Sequence, residues 1–237
     1  LHVHTQLAGL AFERTFLTYA ANEDGLACAR LGTAERVACL HDKWLVKPER
    51  EYNCDLSRRL GFRGETPAMY VSSREPAHPP PSAPRRICIV PGGKVEFRWR
   101  HKRWPHFAGL MKLLLQRFHD AQLCVIGGTD DEPDLQLPPD AIDLRGKLSL
   151  RETAWLLRSA ALAVGNDCGP MHIADAVLTP SIVIFGPTCE LKNGPRNKAI
   201  VLTNEVACRP CQFGELLMTC NDPKCMLGIS PDSVLAA

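Results

Sequence analysis

The sequence predicts a doubly wound α/β domain built on a parallel sheet. Three observations carry that expectation. From residue 85 onward, short apolar runs alternate with stretches of helical spacing. The runs are apolar throughout rather than alternating, as strands covered on both faces are. Each run ends in a turn of Pro, Gly, Asn or Asp, where such a sheet keeps its ligand-binding loops.

Taken in order, Arg86–Val90 (RICIV) is the first strand, stopped by Pro91-Gly92-Gly93. Pro105 suits the first turn of a helix that continues through Leu110, Leu113, Leu114 and Phe118. Gln122–Gly128 is the second strand and Ala141–Leu144 the third. Ser149-Leu-Arg-Glu152 reads as a capping box, opening a helix through Leu156, Leu157 and Ala160. Leu162–Gly165 is a fourth strand, Gly169–Val177 a helix, Ser181–Phe185 a fifth strand and Ala199–Leu202 a sixth.

Upstream, residues 74–84 (REPAHPPPSAP) hold five prolines, which exclude the interior of a helix or strand. That stretch is expected to be a stiff linker. It closes a first piece, residues 1–84, and leaves residues 85–237 as the α/β domain. In the first piece Ala11–Tyr19, Leu26–Leu31 and Leu56–Leu60 carry helix-compatible spacing, and Val37–Leu40 a strand pattern.

The formal charge of +2 on 237 residues excludes a nucleic-acid binder driven by overall charge. No apolar run reaches the roughly 18 residues of a membrane span. Seven of the eleven cysteines are scattered, several in apolar strands, where the residue is a small hydrophobe. The scattered thiols point to a reducing, cytoplasmic setting. The other four form Cys208-x2-Cys211-x8-Cys220-x4-Cys225, a spacing suited to structural zinc or iron as well as to free thiols.

Four loops at the strand ends are candidates for chemistry. In Val164-Gly-Asn-Asp-Cys-Gly-Pro-Met-His172 a strand runs into a helix with Pro170 in its first turn. The free amides around Cys168 and Gly169 suit a phosphate. Asp167 and His172 flank the same spot; an ordinary capped turn is the plain alternative. After the first strand, Arg98, Arg100, His101, Lys102 and Arg103 form a basic run able to hold a polyanion or simply to be solvated. Gly127-Gly-Thr-Asp-Asp-Glu132 pairs glycines with carboxylates suited to ribose hydroxyls, without the GxGxxG fingerprint. Gly186-Pro-Thr188 follows the fifth strand. Their convergence on one sheet edge predicts a nucleotide-type ligand.

The runs KRWP, VIGGTDDE, LRGKLSLRETAWLLRSAALAVGNDCGPMHIADA and TPSIVIFGPT, with the closing cysteines, resemble glycosyltransferase family 9, the ADP-heptose heptosyltransferases of lipopolysaccharide assembly and their relatives. The resemblance covers roughly residues 85 to 235. It implies a GT-B fold, with a complete C-terminal Rossmann-like domain and a partial N-terminal α/β domain on the acceptor side.

On that resemblance, Lys102 would contact the donor diphosphate, together with the amides around Cys168 and Gly169, with Pro170 bordering the same site at the helix start. Asp167 and His172 would shape the pocket, Asp131 or Glu132 would lie near the ribose, and Thr188 would border the site. The implied reaction is inverting transfer of heptose from an ADP-sugar to a lipopolysaccharide-core or protein acceptor, without a metal in catalysis. It would take place in the cytoplasm, at the inner face of the membrane. The family's base lies in a Gly-Asp loop that is not recognisable here, so roughly 100 residues of a two-domain enzyme are expected upstream. A non-catalytic nucleotide-binding module is the competing expectation.

Overall fold

The structure, a computed structural model, describes residues 12–17, 33–38, 47–59, 61–93 and 96–237. The chain divides into two compact units, Leu1–Pro67 and Ala68–Ala237. In the first, strands β1 (Phe12–Leu17) and β2 (Thr33–Ala38) pair in parallel, Phe12 beside Thr33 and Leu17 beside Ala38. Helix α1 spans Glu49–Arg59.

The helix expected over Ala11–Tyr19 is therefore a strand. Phe12, Thr15 and Phe16 favour extended backbone, and a run of nine residues is too short for spacing to decide. The strand expected at Val37–Leu40 begins earlier, at Thr33. The helix expected at Leu56–Leu60 begins about two turns earlier, with Glu49 and Glu51 in its first turn, where carboxylates complement the helix dipole. Leu26–Leu31 lies outside the described residues.

The second unit holds a six-stranded parallel sheet. Its strands are β3 (Arg85–Val90), β4 (Ala121–Val125), β5 (Ile142–Asp143), β6 (Leu162–Asn166), β7 (Ser181–Phe185) and β8 (Ala199–Thr203). Their spatial order is β5-β4-β3-β6-β7-β8, all in parallel register. The chain thus winds outward in one direction from β3 and then in the other from β6. Ligands in such sheets bind outside the carboxyl ends of the two strands at that reversal.

Helices cover both faces. On one lie α2 (Phe107–Arg117), α7 (Lys224–Leu227) and α8 (Pro231–Ala236); on the other lie α3 (Leu150–Arg158) and α4 (Gly169–Ala176). Alternation along β3 divides the core between them. Ile87 and Ile89 pack with Phe107, Leu110 and Met226, whereas Cys88 and Val90 pack with Leu156, Met171 and Phe185. Short helices α5 (Glu190–Asn193) and α6 (Leu216–Thr219) belong to the loops after β7 and β8. Among the described residues, no helix is long and apolar enough to cross a membrane.

Pro105 stands two residues before α2 rather than inside its first turn, with His106 at the N-cap. The proline stretch 74–84 forms neither helix nor strand, and it is fastened to the second unit. Pro76 and Pro80 are buried, the Pro81 carbonyl accepts from Arg86 (2.8 Å) and Gln122 (3.0 Å), and the Arg74 amide donates to the Arg151 carbonyl (3.0 Å).

The capping box of α3 is present. Ser149 Oγ accepts from the Glu152 amide, and Glu152 accepts from the Ser149 amide at 2.9 Å. Arg74 adds an ion pair to Glu152 at 3.0 Å. The Ser149 hydroxyl and amide, followed by Arg74, hold the Glu152 carboxyl down at about 2. Its contribution to stability is thus complete above its ordinary range and is lost as pH falls through about 2. Ser149→Ala is expected to cost about 1 kcal/mol in urea unfolding at pH 7. The gap to the wild type should narrow steadily below pH 4.5, and a gap independent of pH would show that Glu152 is not the group concerned.

Candidate functional site

Two adjacent strands end together at the sheet reversal, and their loops enclose a cavity of about 380 Å³. From β3 comes Pro91-Gly92-Gly93. From β6 comes Asp167, followed by the first residues of α4. The 3₁₀ turn Phe97–Lys102 supplies Lys102, and Asp131 arrives from the loop after β4. Asn193, at the end of α5, completes the wall.

Close approach of β3 and β6 depends on Gly165, where a Cβ would stand 2.7 Å from Val90 Cβ and 2.9 Å from its carbonyl oxygen. Gly92 is similarly constrained, because a Cβ there would fall 2.1 Å from the Asp131 carboxyl carbon.

Residues expected to act together do meet here. Lys102 Nζ lies 2.8 Å from Asp167 Oδ2, with side-chain exposures of only 14% and 5%. That oxygen receives no aligned hydrogen bond, so the contact is Coulombic in character. His172 Nε2 stands 3.7 Å from the other carboxylate oxygen. Trp99 lies under the ammonium, 5.5 Å from ring centroid to Nζ. Asp167 does not cap α4: the N-cap is Cys168, which makes no side-chain cap bond. Burial pushes the Cys168 thiol up to about 12, so its sulfur is no nucleophile at neutral pH. What this turn offers is its backbone, with Pro170 in the first turn of α4 and open space where a Gly169 Cβ would be.

The two acidic candidates of the β4 loop separate. Asp131 lines the cavity and folds back so that Oδ2 accepts from the Gly128 amide at 2.6 Å. Glu132 instead pairs with Arg103 at 3.2 Å. Both of their carbonyls accept from Arg145, which is itself held by Asp143 at 2.8 Å. Thr188 is buried, its hydroxyl has no hydrogen-bond partner, and it is not in the cavity wall.

The basic run divides its labour in a way the sequence does not reveal. Arg98 donates to the Gln212 carbonyl (3.1 Å) and Arg100 to those of Met218 (3.1 Å) and Cys220 (2.9 Å). His101 Nε2 meets the Cys220 carbonyl at 2.8 Å. Arg98, Arg100 and His101 therefore tie the 3₁₀ turn to the cysteine loop, Arg103 goes to Glu132, and Lys102 faces the cavity.

The cysteine loop gathers Cys208, Cys211, Cys220 and Cys225 in one neighbourhood. Burial first, and then the nearby Cys211, Cys208 and Cys220, push the Cys225 thiol up to about 11. All four are free thiols. Among the described residues, no group of three or more His, Cys, Asp or Glu is arranged to hold a metal ion. The thiols as they stand do not fit the tetrahedral set expected of structural zinc or iron.

Two site residues were missed in the sequence. Asn193 had no signal. Asn166 had a faint one, a polar residue closing an otherwise apolar strand.

Comparison with known proteins agrees with this geometry. The family model for "Glycosyltransferase family 9 (heptosyltransferase)" matches residues 67–220, more than half of the chain. Lipooligosaccharide heptosyltransferase 2 of Haemophilus influenzae is 37% identical over 98 residues, which span 37% of this chain and 28% of that protein. Lipopolysaccharide heptosyltransferase 1 of Campylobacter coli is 33% identical over 92 residues, 35% of this chain and 27% of that protein. The matched stretch thus spans less than a third of either relative.

Among solved structures, ADP-heptose heptosyltransferase II of E. coli superposes with a TM-score of 0.67 at 19% identity, covering 99% of this chain and 77% of that one. A family 9 glycosyltransferase from Veillonella parvula gives 0.75 at 16% identity, covering 100% and 75%. The fold is accordingly of GT-B type. With the parallel sheet, the loop convergence and the family match in agreement, the chain belongs to glycosyltransferase family 9.

Proposed function

We propose that this chain binds an ADP-sugar, ADP-heptose before others, and serves inverting transfer of the heptose to a lipopolysaccharide-core or protein acceptor. One observation carries the reading: Lys102 and the amide-bearing start of α4 face a single cavity at the sheet reversal. The relatives named as heptosyltransferases support the sugar class. A structural neighbour described as a complex with ADP-D-β-D-heptose supports the nucleotide.

In the transfer, an acceptor hydroxyl oxygen bonds to the anomeric carbon and gives its proton to a general base, as the bond from that carbon to the diphosphate oxygen breaks and the nucleoside diphosphate leaves. Charge grows on the diphosphate. Fixed amides and one partly buried ammonium are suited to stabilise it, because they need little reorganisation as the charge develops. Asp131, against Gly92 and Gly128, keeps its carboxylate at the edge of the same cavity and is the carboxylate assigned to the nucleotide side. Transfer of this kind is assigned to the cytoplasmic face of the membrane.

A structural metal in the cysteine loop draws support from an iron-containing dodecameric glycosyltransferase of enterotoxigenic E. coli among the structural neighbours. The thiol geometry among the described residues does not support it.

Three measurements test the reading. ADP titration by calorimetry should show saturable binding that weakens about tenfold or more in Lys102→Ala, as loss of a charge-assisted contact does; unchanged affinity would remove the phosphate site from this cavity. Gly169→Ala should place its Cβ in open space at the cavity wall, leave the cooperative thermal transition in place, and still weaken ADP. EDTA should leave ADP affinity within experimental error, and a large loss would require a metal in the donor site.

A further inference from the structure

Asn166 is the last residue of β6 and is fully buried. Its side-chain amide is completely engaged. Nδ2 donates to the Pro91 carbonyl at 2.6 Å and to the Gly92 carbonyl at 3.1 Å, while Oδ1 accepts from the Trp104 amide at 3.0 Å. Pro91 and Gly92 are where the chain leaves β3. Trp104 is where it returns to the core, two residues after Lys102. One amide group therefore grips both ends of the excursion that carries Lys102.

The grip is anchored from behind. Trp104 is itself buried, and its indole nitrogen donates to the Ile229 carbonyl at 2.8 Å. The next residue after Asn166 is Asp167, the partner of Lys102 across the cavity. The neck of the loop and the counter-charge of the lysine are thus set by adjacent residues of one strand end.

We infer that Asn166 is a positioning residue: it closes the neck of the Lys102 loop and so fixes the height at which the ammonium stands over the α4 N-terminus. No other side chain type of this size can do so. Two carbonyls need N–H donors and one amide needs an acceptor, and only a carboxamide offers both from one planar group. A carboxylate would turn its oxygens toward the Pro91 and Gly92 carbonyls, and an apolar group would leave three buried backbone groups unpaired.

The inference rests on the donor-site reading, and the test separates the two. Hydrogen exchange on the full chain without nucleotide should show residues 96–103 opening at least tenfold faster in Asn166→Ala, with α2 still protected. Asn166→Asp, nearly the same in shape, is expected to show the same local opening and serves if the alanine variant does not melt cooperatively. Unchanged exchange in both variants would overturn the inference whatever ADP does.

ADP titration then asks whether the positioning reaches the ligand. Asn166→Ala should weaken ADP about tenfold, and Lys102→Ala combined with it should cost no more than Lys102→Ala alone. Additive losses would mean that Asn166 acts elsewhere and would overturn its role through the lysine. If Lys102→Ala binds ADP like the wild type, the donor-site reading fails. The exchange result then still decides the loop closure on its own.

Discussion

The close contact of β3 with β6 is the constraint from which the site follows. These strands lie side by side at the reversal of the winding order, and Gly165 permits the approach by presenting no Cβ to Val90. Because the two chains depart to opposite faces of the sheet beyond that point, their loops part and leave a crevice. Most of what lines that crevice comes from the connections after these two strands: two glycines after β3, an Asp and a helix start after β6, and a lysine on the turn that precedes Trp104; Asp131 and Asn193 join from the loops after β4 and β7.

Charge in this region is distributed by backbone rather than by attraction to solvent. A run of basic residues invites the idea of a polyanion clamp, yet most of it satisfies carbonyl groups of the cysteine loop. Those carbonyls lie in short helical turns and irregular chain, where no sheet or long helix supplies donors. Arginine suits the task because its fork reaches two carbonyls at once, as Arg100 does with Met218 and Cys220. Lysine, a point charge with a flexible stem, is the residue left to the cavity.

The sheet was legible in the sequence because its strands are short apolar runs punctuated by Gly and Pro, and because the Ser149 capping box is a local signal with a local cause. The Asp167-to-His172 turn was legible for the same reason. Phe12–Leu17 was misread, since aromatic and β-branched residues at helical spacing in a short run satisfy both periodicities. The division of labour along Arg98–Arg103 was not legible at all: its partners lie about thirty to a hundred and twenty residues away. Asp131 and Glu132 are neighbours with the same chemistry, and only the fold separates the one that lines the cavity from the one that salts to Arg103.

The pairing of Lys102 with Asp167 has a consequence for which ligands the crevice can retain. An isolated buried ammonium would draw in any small anion, and chloride or inorganic phosphate would compete at cellular concentrations. With the Asp167 carboxylate 2.8 Å away and Asp131 also in the wall, the ammonium is more than balanced by acidic groups of the crevice. A lone anion gains little there, because it meets the carboxylate as well as the ammonium. On the proposed reading, a larger ligand that brings a sugar, a nucleoside and two phosphates at once can offset that carboxylate with further contacts and share the lysine. On that reading the ion pair is a threshold: it disfavours lone anions relative to guests that bind at several points.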